Sequence, residues 1–449
     1  MSNSRHMVIS LTEGRSVRDL LYNGLLSVLA DAGWSVTLMT EAALVPEFAA
    51  EWTRAGVELS MLYPCAGTRW RNRGFQLRRR LARWNRGALL NAYLRQEERI
   101  CFPPRREYLE LMARKKPMMV MGTHSHLPNE GELLSAAHAL SIPTLGMVRS
   151  WDNIHKGIHT RPRWITVWNE VNRQELIELE GYEPERVIIT GPPQFDPYFQ
   201  PDTTWSREKF CDRFRLDPSR PIILFATLGN FFPQNDETCW MRVLLDSLDR
   251  GQLDRRPQVI CRLHPWSRLE QFQRFGRHPD VRLSYVERYW PALQWYMTRD
   301  EVVEVANMLR HADVVITPGS TMVLEAAIFD RPTLAPIFHP YQPERALNYF
   351  KTWVLGKHYA RIEREDLVPF VRREEDFVPM INRCLCEPQW YRDKRARLVS
   401  DYVGYTDGGS TRRLAELAIQ LAEGRAVQVK PAPERVESPQ PCIAGQTGP

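Results

Sequence analysis

The chain opens with a continuous apolar run, His6-MVISL-Thr12, whose length suits a buried strand rather than a helix. From Ser16 to Ala32 the period changes. Val17, Leu20, Leu21, Leu25, Val28 and Leu29 recur at the spacing of one helix face. Gly33 stops that helix and Trp34-SVTLM-Thr40 is a second strand, so the opening predicts a βαβ unit with a right-handed crossover. Further apolar runs follow at 117–123, 142–149, 164–169 and 186–191, each leading into a polar or Gly/Pro-rich loop. Loops at the carboxyl ends of parallel strands are where such sheets bind ligands.

The alternation breaks at Gly191-PPQFDPYFQP-Asp202, where four prolines in ten residues mark an interdomain linker. It resumes with apolar runs at 221–228, 258–264, 281–287, 312–318 and 333–339. The pattern predicts an α/β protein of two Rossmann-like parallel-sheet domains facing a central cleft. Residues 1–200 form the first domain, 201–409 the second, 410–424 a terminal helix, and 425–449 a disordered tail with little to bury.

Composition adds one asymmetry. The 449 residues are 43% apolar, enough for sizeable cores, and carry a net charge of only +6. Between Arg69 and Arg106, however, twelve arginines face only Glu97 and Glu98, a local balance of +10 that leaves the remaining chain at −4. Within that segment Leu77, Leu81, Trp84, Ala88 and Ala92 recur at helical spacing, with Arg78, Arg79, Arg80, Arg83 and Arg86 around them. This describes either a basic amphipathic helix at an anionic membrane surface or a solvated helix packed on the first domain. No stretch is apolar enough to span a bilayer, and the N-terminus lacks the apolar core of a secretory signal. The eight scattered cysteines show no zinc spacing, so the expectation is a cytoplasmic protein with reduced thiols, peripheral to the inner membrane face if the basic segment docks there.

The sharpest chemical signal is Ala312-DVVITPGSTMVLEAAIFDRPTLAPI-Phe338, which reads as strand, tight turn, short helix from about Met322 and second strand. Such a turn delivers a helix N-terminus to a strand end, a physical anion site suited to a nucleotide diphosphate, though an ordinary capped helix reads the same way. Gly319 permits close backbone approach, Ser320 or Thr321 can cap the helix, and Glu325 is near enough to accept ribose hydroxyls. His264, at the end of the run 258–263 and followed by Pro265, is placed to donate toward a phosphate. In the first half, His124 and Asp152 each follow an apolar run and are the general acid/base candidates. Trp151 is available for stacking on a sugar or base, with Asn153 beside it, and the Glu13-Gly-Arg-Ser16 turn offers Arg15 or Arg18 to an acceptor phosphate or carboxylate. His124 and His126 lack a third ligand nearby, so no metal site is expected. Neither GxGxxG after the first strand nor GxxxxGK[ST] is present, which disfavours the usual nicotinamide site and removes the P-loop NTPases.

The two-half layout, the His264-Pro265 pair and Thr317-PGSTMVLEA-Ala327 resemble GT-B-type bacterial glycosyltransferases. Ser150-Trp-Asp-Asn153, Val187-IITGPPQFD-Pro197 and Asp407-GGSTRR-Arg413 look like a narrower set, surface-carbohydrate transferases akin to the CDP-glycerol glycerophosphotransferases. The resemblance implies a nucleotide-activated donor held by the second half, a glycan or lipid-linked acceptor in the first, and no cofactor beyond the donor. Carried over by position, His264 and Gly319 to Thr321 would hold the donor phosphates. Glu325 would face the ribose or sugar, and Asp407, Gly408 and Ser410 would start a helix near the cleft. The family usually carries an acidic-aromatic-serine-serine turn where this chain has Thr317-Pro-Gly-Ser-Thr321, a departure that favours a sugar nucleotide over glycerol phosphate. Two other enzyme readings stand beside this one: a nucleotide-sugar 2-epimerase and a CDP-glycerol-type glycerophosphotransferase. A basic RNA-binding or scaffold protein is the non-enzyme reading. The net acidic remainder argues against nucleic acid as a partner.

Overall fold

The computed structural model describes residues 5–65, 69–84, 88–229, 236–286, 292–355 and 358–428. Strands β1 (His6–Leu11), β2 (Ser35–Thr40), β3 (Val57–Met61), β4 (Met119–Met121), β5 (Thr144–Met147), β6 (Trp164–Val167) and β7 (Val187–Ile189) make one parallel sheet in the order β3-β2-β1-β4-β5-β6-β7. A second parallel sheet, β10-β9-β8-β11-β12-β13, is built from β8 (Ile222–Ala226), β9 (Gln258–Arg262), β10 (Val281–Ser284), β11 (Val314–Ile316), β12 (Thr333–Pro336) and β13 (Phe370–Val371). These are the two Rossmann-like halves that the alternation predicts.

Each sheet reverses its strand order once, between β1 and β4 and between β8 and β11. At such a point the loops leaving adjacent strands diverge and open a crevice at the carboxyl edge. Central strands are the easiest to read in the sequence: all six residues of β1 are buried. Edge strand β3, mostly half-buried, lacks an uninterrupted apolar run, and β13 is only two residues long; both go unpredicted. The helix expected over 16–32 is divided. A π-turn covers Val17–Leu21, Gly24 sits at φ 84°, and an α-helix restarts at Leu25–Asp31, because a left-handed residue ends one helix and lets the chain begin another.

The halves exchange core residues. Leu293 and Tyr296, from the segment between β10 and the helix Arg299–His311, are buried in the core of the first half. Leu414, Leu417 and Leu421 of the helix Ser410–Ala422 join them there. In return Trp151, Trp168, Phe195 and Tyr198 belong to the core of the second half. The 292–298 segment is tied down by polar contacts as well. Gly14 N–H donates to the Gln294 carbonyl at 2.7 Å, and a Cβ at Gly14 would lie 2.2 Å from Tyr296 Cα, so only glycine fits. Tyr22 donates to the Tyr296 hydroxyl at 2.9 Å, which donates onward to Glu51 at 3.1 Å.

The basic segment forms two helices, Arg69–Trp84 and Ala88–Cys101. Their orientation corrects the expected amphipathic face. Arg78 is 3% exposed and pairs with Glu97 at 3.1 Å and Glu180 at 3.4 Å, while Leu77 is 45% exposed. Arg79 reaches the carbonyls of His155 and Ile154 at 3.4 and 3.5 Å, at the end of the short helix Asn153–Lys156. Arg78 thus serves as a buried fastener and Arg79 as a half-buried one, while Leu77 and Arg80 both face outward at this turn. The side chains of Arg83, Trp84, Arg86 and Ala88, and the tail from 429 onward, lie outside the described residues.

Candidate active site between the two sheets

Both order reversals open on the same interdomain cleft. From β1 the chain enters the turn at Glu13, and from β4 the loop carrying His124. Both residues are buried, and His124 Nδ1 meets Glu13 Oε1. His124 Nε2 has no hydrogen-bond partner among the described residues. Burial, ahead of the positive charges of Arg149 and Arg15, lowers the imidazole to about 3 despite the Glu13 carboxylate, so the ring is neutral at neutral pH. A carboxylate that fixes one ring nitrogen and leaves the other to accept a proton is a general-base geometry.

Glu13 is itself held ionised. Burial works against its charge, but Arg15, His124 and Arg149 pull its carboxyl well below the usual range. Arg15 Nε donates to Glu13 Oε2 at 2.8 Å and its Nη2 to Oε1 at 2.8 Å. Arg149 lies 4.0 Å from Glu13 and 3.4 Å from Asp19, which also receives Arg18 Nε at 2.6 Å. The His124 loop rests on a second buried acid. Glu130 accepts from Ser10 Oγ at 2.6 Å and from the backbone N–H of Thr123 and His124 at 2.6 and 3.0 Å. Burial raises Glu130 to about 7 against those bonds.

From the second half, His264 follows β9. Its Nδ1 accepts the Trp266 N–H at 3.2 Å and its own N–H donates to Thr227 Oγ1 at 2.7 Å. Burial, then the charges of Arg15 and Arg262, lowers it to about 3. Arg15 spans the two halves: its guanidinium lies 4.5 Å over the Trp295 ring, whose centroid is 5.0 Å from that of His264. One arginine therefore acts electrostatically on both cleft histidines. Beside β11, Gly319 adopts φ 83°, Ser320 Oγ bonds Thr317 Oγ1 at 2.8 Å and caps Met322 N–H at 3.2 Å, while Thr321 makes no side-chain cap. Glu325, in the helix Met322–Ile328, accepts the hydroxyl of Tyr198 from the linker. Burial raises Glu325 above its ordinary range, partly offset by Tyr198 and Arg18.

Other sequence candidates are placed differently. Asp152 accepts Ser150 Oγ at 2.6 Å and pairs with Lys156. Burial opposes its charge, but Lys156, His358 and Ser150 hold the carboxyl well below the usual range, so it is ionised at neutral pH. Trp151, expected to stack on a ligand, is 3% exposed and meets His358, Tyr359 and Tyr402 edge-on, so it is interdomain packing here. Asn153 closes its own turn by accepting Ser150 N–H at 3.0 Å, and Ser16 Oγ bonds Thr123 Oγ1 at 2.9 Å, linking the β1 and β4 loops. Asp407 pairs with Arg413 at 2.7 Å, Gly408 sits at φ 68°, and the helix begins at Ser410 as expected. Its N-terminus is already filled: Asp196 accepts the N–H of Ser410 and Thr411 at 3.0 and 2.7 Å. Sequence reasoning missed Glu13, Asp19, Glu130 and Arg149. The one available signal was Glu13, the first charged residue after β1 at the reversal of strand order.

Two parallel-sheet halves whose order reversals face one another, with a histidine contributed by each, are the layout of the GT-B fold. The chain belongs to the CDP-glycerol:poly(glycerophosphate) glycerophosphotransferase family, whose model matches residues 106–420. A search of curated proteins gave no match. Among solved structures, the UDP-GlcNAc 2-epimerase from Neisseria meningitidis bound to UDP-GlcNAc superposes with a TM-score of 0.55 at 10% identity, covering 93% of this chain and 100% of that one. A glycosyltransferase from Rickettsia africae gives 0.53 at 10%, covering 94% and 100%. The wall teichoic acid polymerase TagF gives 0.53 at 10%, covering 94% and 90%. At these identities the likeness is one of fold.

Proposed function

We propose that the cleft transfers a group from a nucleotide-activated donor to a hydroxyl of a cell-surface glycan or lipid-linked acceptor. The carrying observation is the Glu13–His124 pair, whose buried Nε2 has no partner among the described residues, bridged by Arg15 to His264 on the opposite wall. In this reading the donor diphosphate lies against His264 and the Gly319–Thr321 turn, and Glu325 exchanges Tyr198 for a donor hydroxyl. His124 takes the acceptor proton onto Nε2 while Glu13 offsets the charge on the ring. Arg15 and Arg149 supply positive charge where the leaving phosphate becomes more negative, with no cofactor or metal required.

A sugar nucleotide is the first donor, because the Thr317-Pro-Gly-Ser-Thr321 turn departs from the family pattern. Family membership favours a second reading, transfer of a glycerophosphoryl group. The bond broken separates them. Attack at an anomeric carbon releases a nucleoside diphosphate, whereas attack at the phosphorus bearing glycerol releases a monophosphate. Chromatography of the nucleotide product with a panel of donors decides the matter: diphosphate is expected, and CMP selects the second reading. Epimer formed without acceptor would overturn transfer itself. Substituting His264→Ala and Glu325→Ala should each raise donor KM, and full activity in both variants removes this donor site.

For localisation we propose a cytoplasmic protein peripheral to the inner membrane face. No described helix is long and apolar enough to cross a membrane. Leu77, Leu89 and Ile100 are 45%, 65% and 59% exposed on the two basic helices, alongside exposed Arg80 and Arg99. That is a surface suited to shallow insertion beneath anionic headgroups. Flotation with liposomes that contain anionic lipid should carry the protein, and equal recovery without that lipid rejects the docking.

A further inference from the structure

Beside His264 stands an aromatic cluster that the transfer reading leaves unused. Trp266, two residues on, is 44% exposed, and no other tryptophan among the described residues presents as much of its surface. A tight turn fixes it in place. Ser267 N–H donates to the His264 carbonyl at 2.7 Å, Trp266 N–H to His264 Nδ1 at 3.2 Å, and Ser267 Oγ bonds Thr227 Oγ1 at 2.8 Å. The Trp266 indole lies 4.5 Å from that of Trp295, centroid to centroid, and the two planes meet at 54°. Both indoles meet the His264 ring edge-on, at 5.7 and 5.0 Å. Trp295 is held at φ 64°, a left-handed backbone that bulky residues rarely adopt, and its ring carries the Arg15 guanidinium at 4.5 Å. The bond from Gly14 N–H to the Gln294 carbonyl pins the residue before it. An exposed indole clamped in this way has little freedom left to lose, so covering it costs little conformational entropy.

The face of an indole is apolar and carries the negative lobe of the ring quadrupole. A pyranose with equatorial hydroxyls presents the complementary surface, a flat patch of axial C–H groups with its hydroxyls directed outward. Position in the fold selects among ring-shaped occupants. His264 and Trp266 leave β9, whereas Glu325, assigned above to a donor hydroxyl, follows β11, and β8 lies between those strands. Two strand spacings, about 10 Å, therefore separate Trp266 from the ribose position, and a base beyond that ribose points away from Trp266. Trp295, by contrast, touches Arg15 of the first half, on the acceptor side. We propose that Trp266, backed by Trp295, is a platform for a pyranose ring of the acceptor. The inference takes its acceptor from the transferase reading and its sugar from the rings alone. It makes Trp266 a specificity residue that favours a cyclic saccharide over an open polyol chain, without contact to the reacting atoms.

The test uses the full chain with Trp266→Ala and Trp266→Phe, at a residue that belongs to neither large core. Saturation-transfer NMR with methyl β-D-glucopyranoside should reach the axial protons of the sugar in the wild type and in Trp266→Phe, and fade in Trp266→Ala. Glycerol, the acyclic control, should receive none. No transfer in the wild type, equal transfer in Trp266→Ala, or equal transfer to glycerol overturns the platform. In the second arm, turnover is measured with a β-linked glucose oligosaccharide and with a short synthetic poly(glycerophosphate) as acceptors. The wild type should prefer the saccharide. Trp266→Ala should raise the saccharide KM about tenfold at unchanged donor KM, the scale of one lost stacking contact, and Trp266→Phe should restore most of it. A rise in donor KM instead gives the platform to the nucleobase, and an unaltered acceptor preference removes it from the acceptor site; either result overturns the assignment. If no donor supports transfer in the wild type, the transferase reading fails while the NMR arm still decides whether the rings hold a sugar.

Discussion

His124 and Glu237 show two opposite uses of burial. In His124 the cost of carrying charge keeps the ring neutral and its Nε2 lone pair available, with Glu13 ready to share the proton once it arrives. Replacing His124 with alanine should therefore lower kcat by about 10²- to 10⁴-fold at nearly constant donor KM, the range of a lost general base. A comparable rise in KM would assign the ring to binding instead. In Glu237, at the start of the helix Thr238–Asp249, burial raises the carboxyl from 4.5 to about 8, and its Oε1 has no partner among the described residues. A carboxyl that binds its proton more tightly folded than unfolded stabilises fully below pH 4.5, and that stability drains away as pH climbs through about 8. Glu237→Gln cannot ionise, so the variant should lose less Tm than the wild type between roughly pH 6 and 9. Parallel curves would show that Glu237 is not the group responsible. These charges explain why the site was only half legible. His124 and His264 sit at strand ends that the apolar runs reveal, whereas the pairing of Glu13 with Arg149 joins residues more than a hundred positions apart, and no local pattern encodes it.

At the scale of elements, the turn after β1 does more than carry Glu13. Its Gly14 is pressed against the 292–298 segment so closely that no side chain fits, and Arg15 lies over Trp295 on the same segment. Gly14→Ala places a methyl group where Tyr296 backbone stands, so the segment must lift or the turn must move. We expect a loss of about 1–3 kcal/mol in stability and a fall in activity from displacement of Arg15, read by urea unfolding and by turnover. An alanine variant of unchanged stability would mean that the turn adjusts freely. Elements were legible in proportion to their burial. Central β1 and β8 are wholly buried and mostly apolar, while edge strand β3 and the 292–298 segment are not, and β13 is only two residues long. A connecting stretch that buries Leu293 and Tyr296 in the other half has no periodicity to betray it.

For the whole molecule, two sheets were visible in the sequence as two blocks of alternation, but their mutual dependence was not. The first half lends Trp151 and Trp168 to the second core and borrows Leu293 and Tyr296 in return. Domains that trade core residues should not unfold separately. Leu293→Ala should cost about 2–5 kcal/mol and shift a single urea transition, seen alike by fluorescence and circular dichroism. Two resolved transitions would mean that the exchange is energetically minor.

The helix Ser410–Ala422 packs into the core of the first half, yet it is the last regular element among the described residues. During synthesis β1 and β2 leave the ribosome with Leu25, Leu26 and Leu29 already beside them, and the leucines that complete their core follow nearly four hundred residues later. At about 5–20 residues per second, that apolar face waits some tens of seconds for its cover. We expect the first half to be aggregation-prone through this interval, until the helix Ser410–Ala422 docks on it.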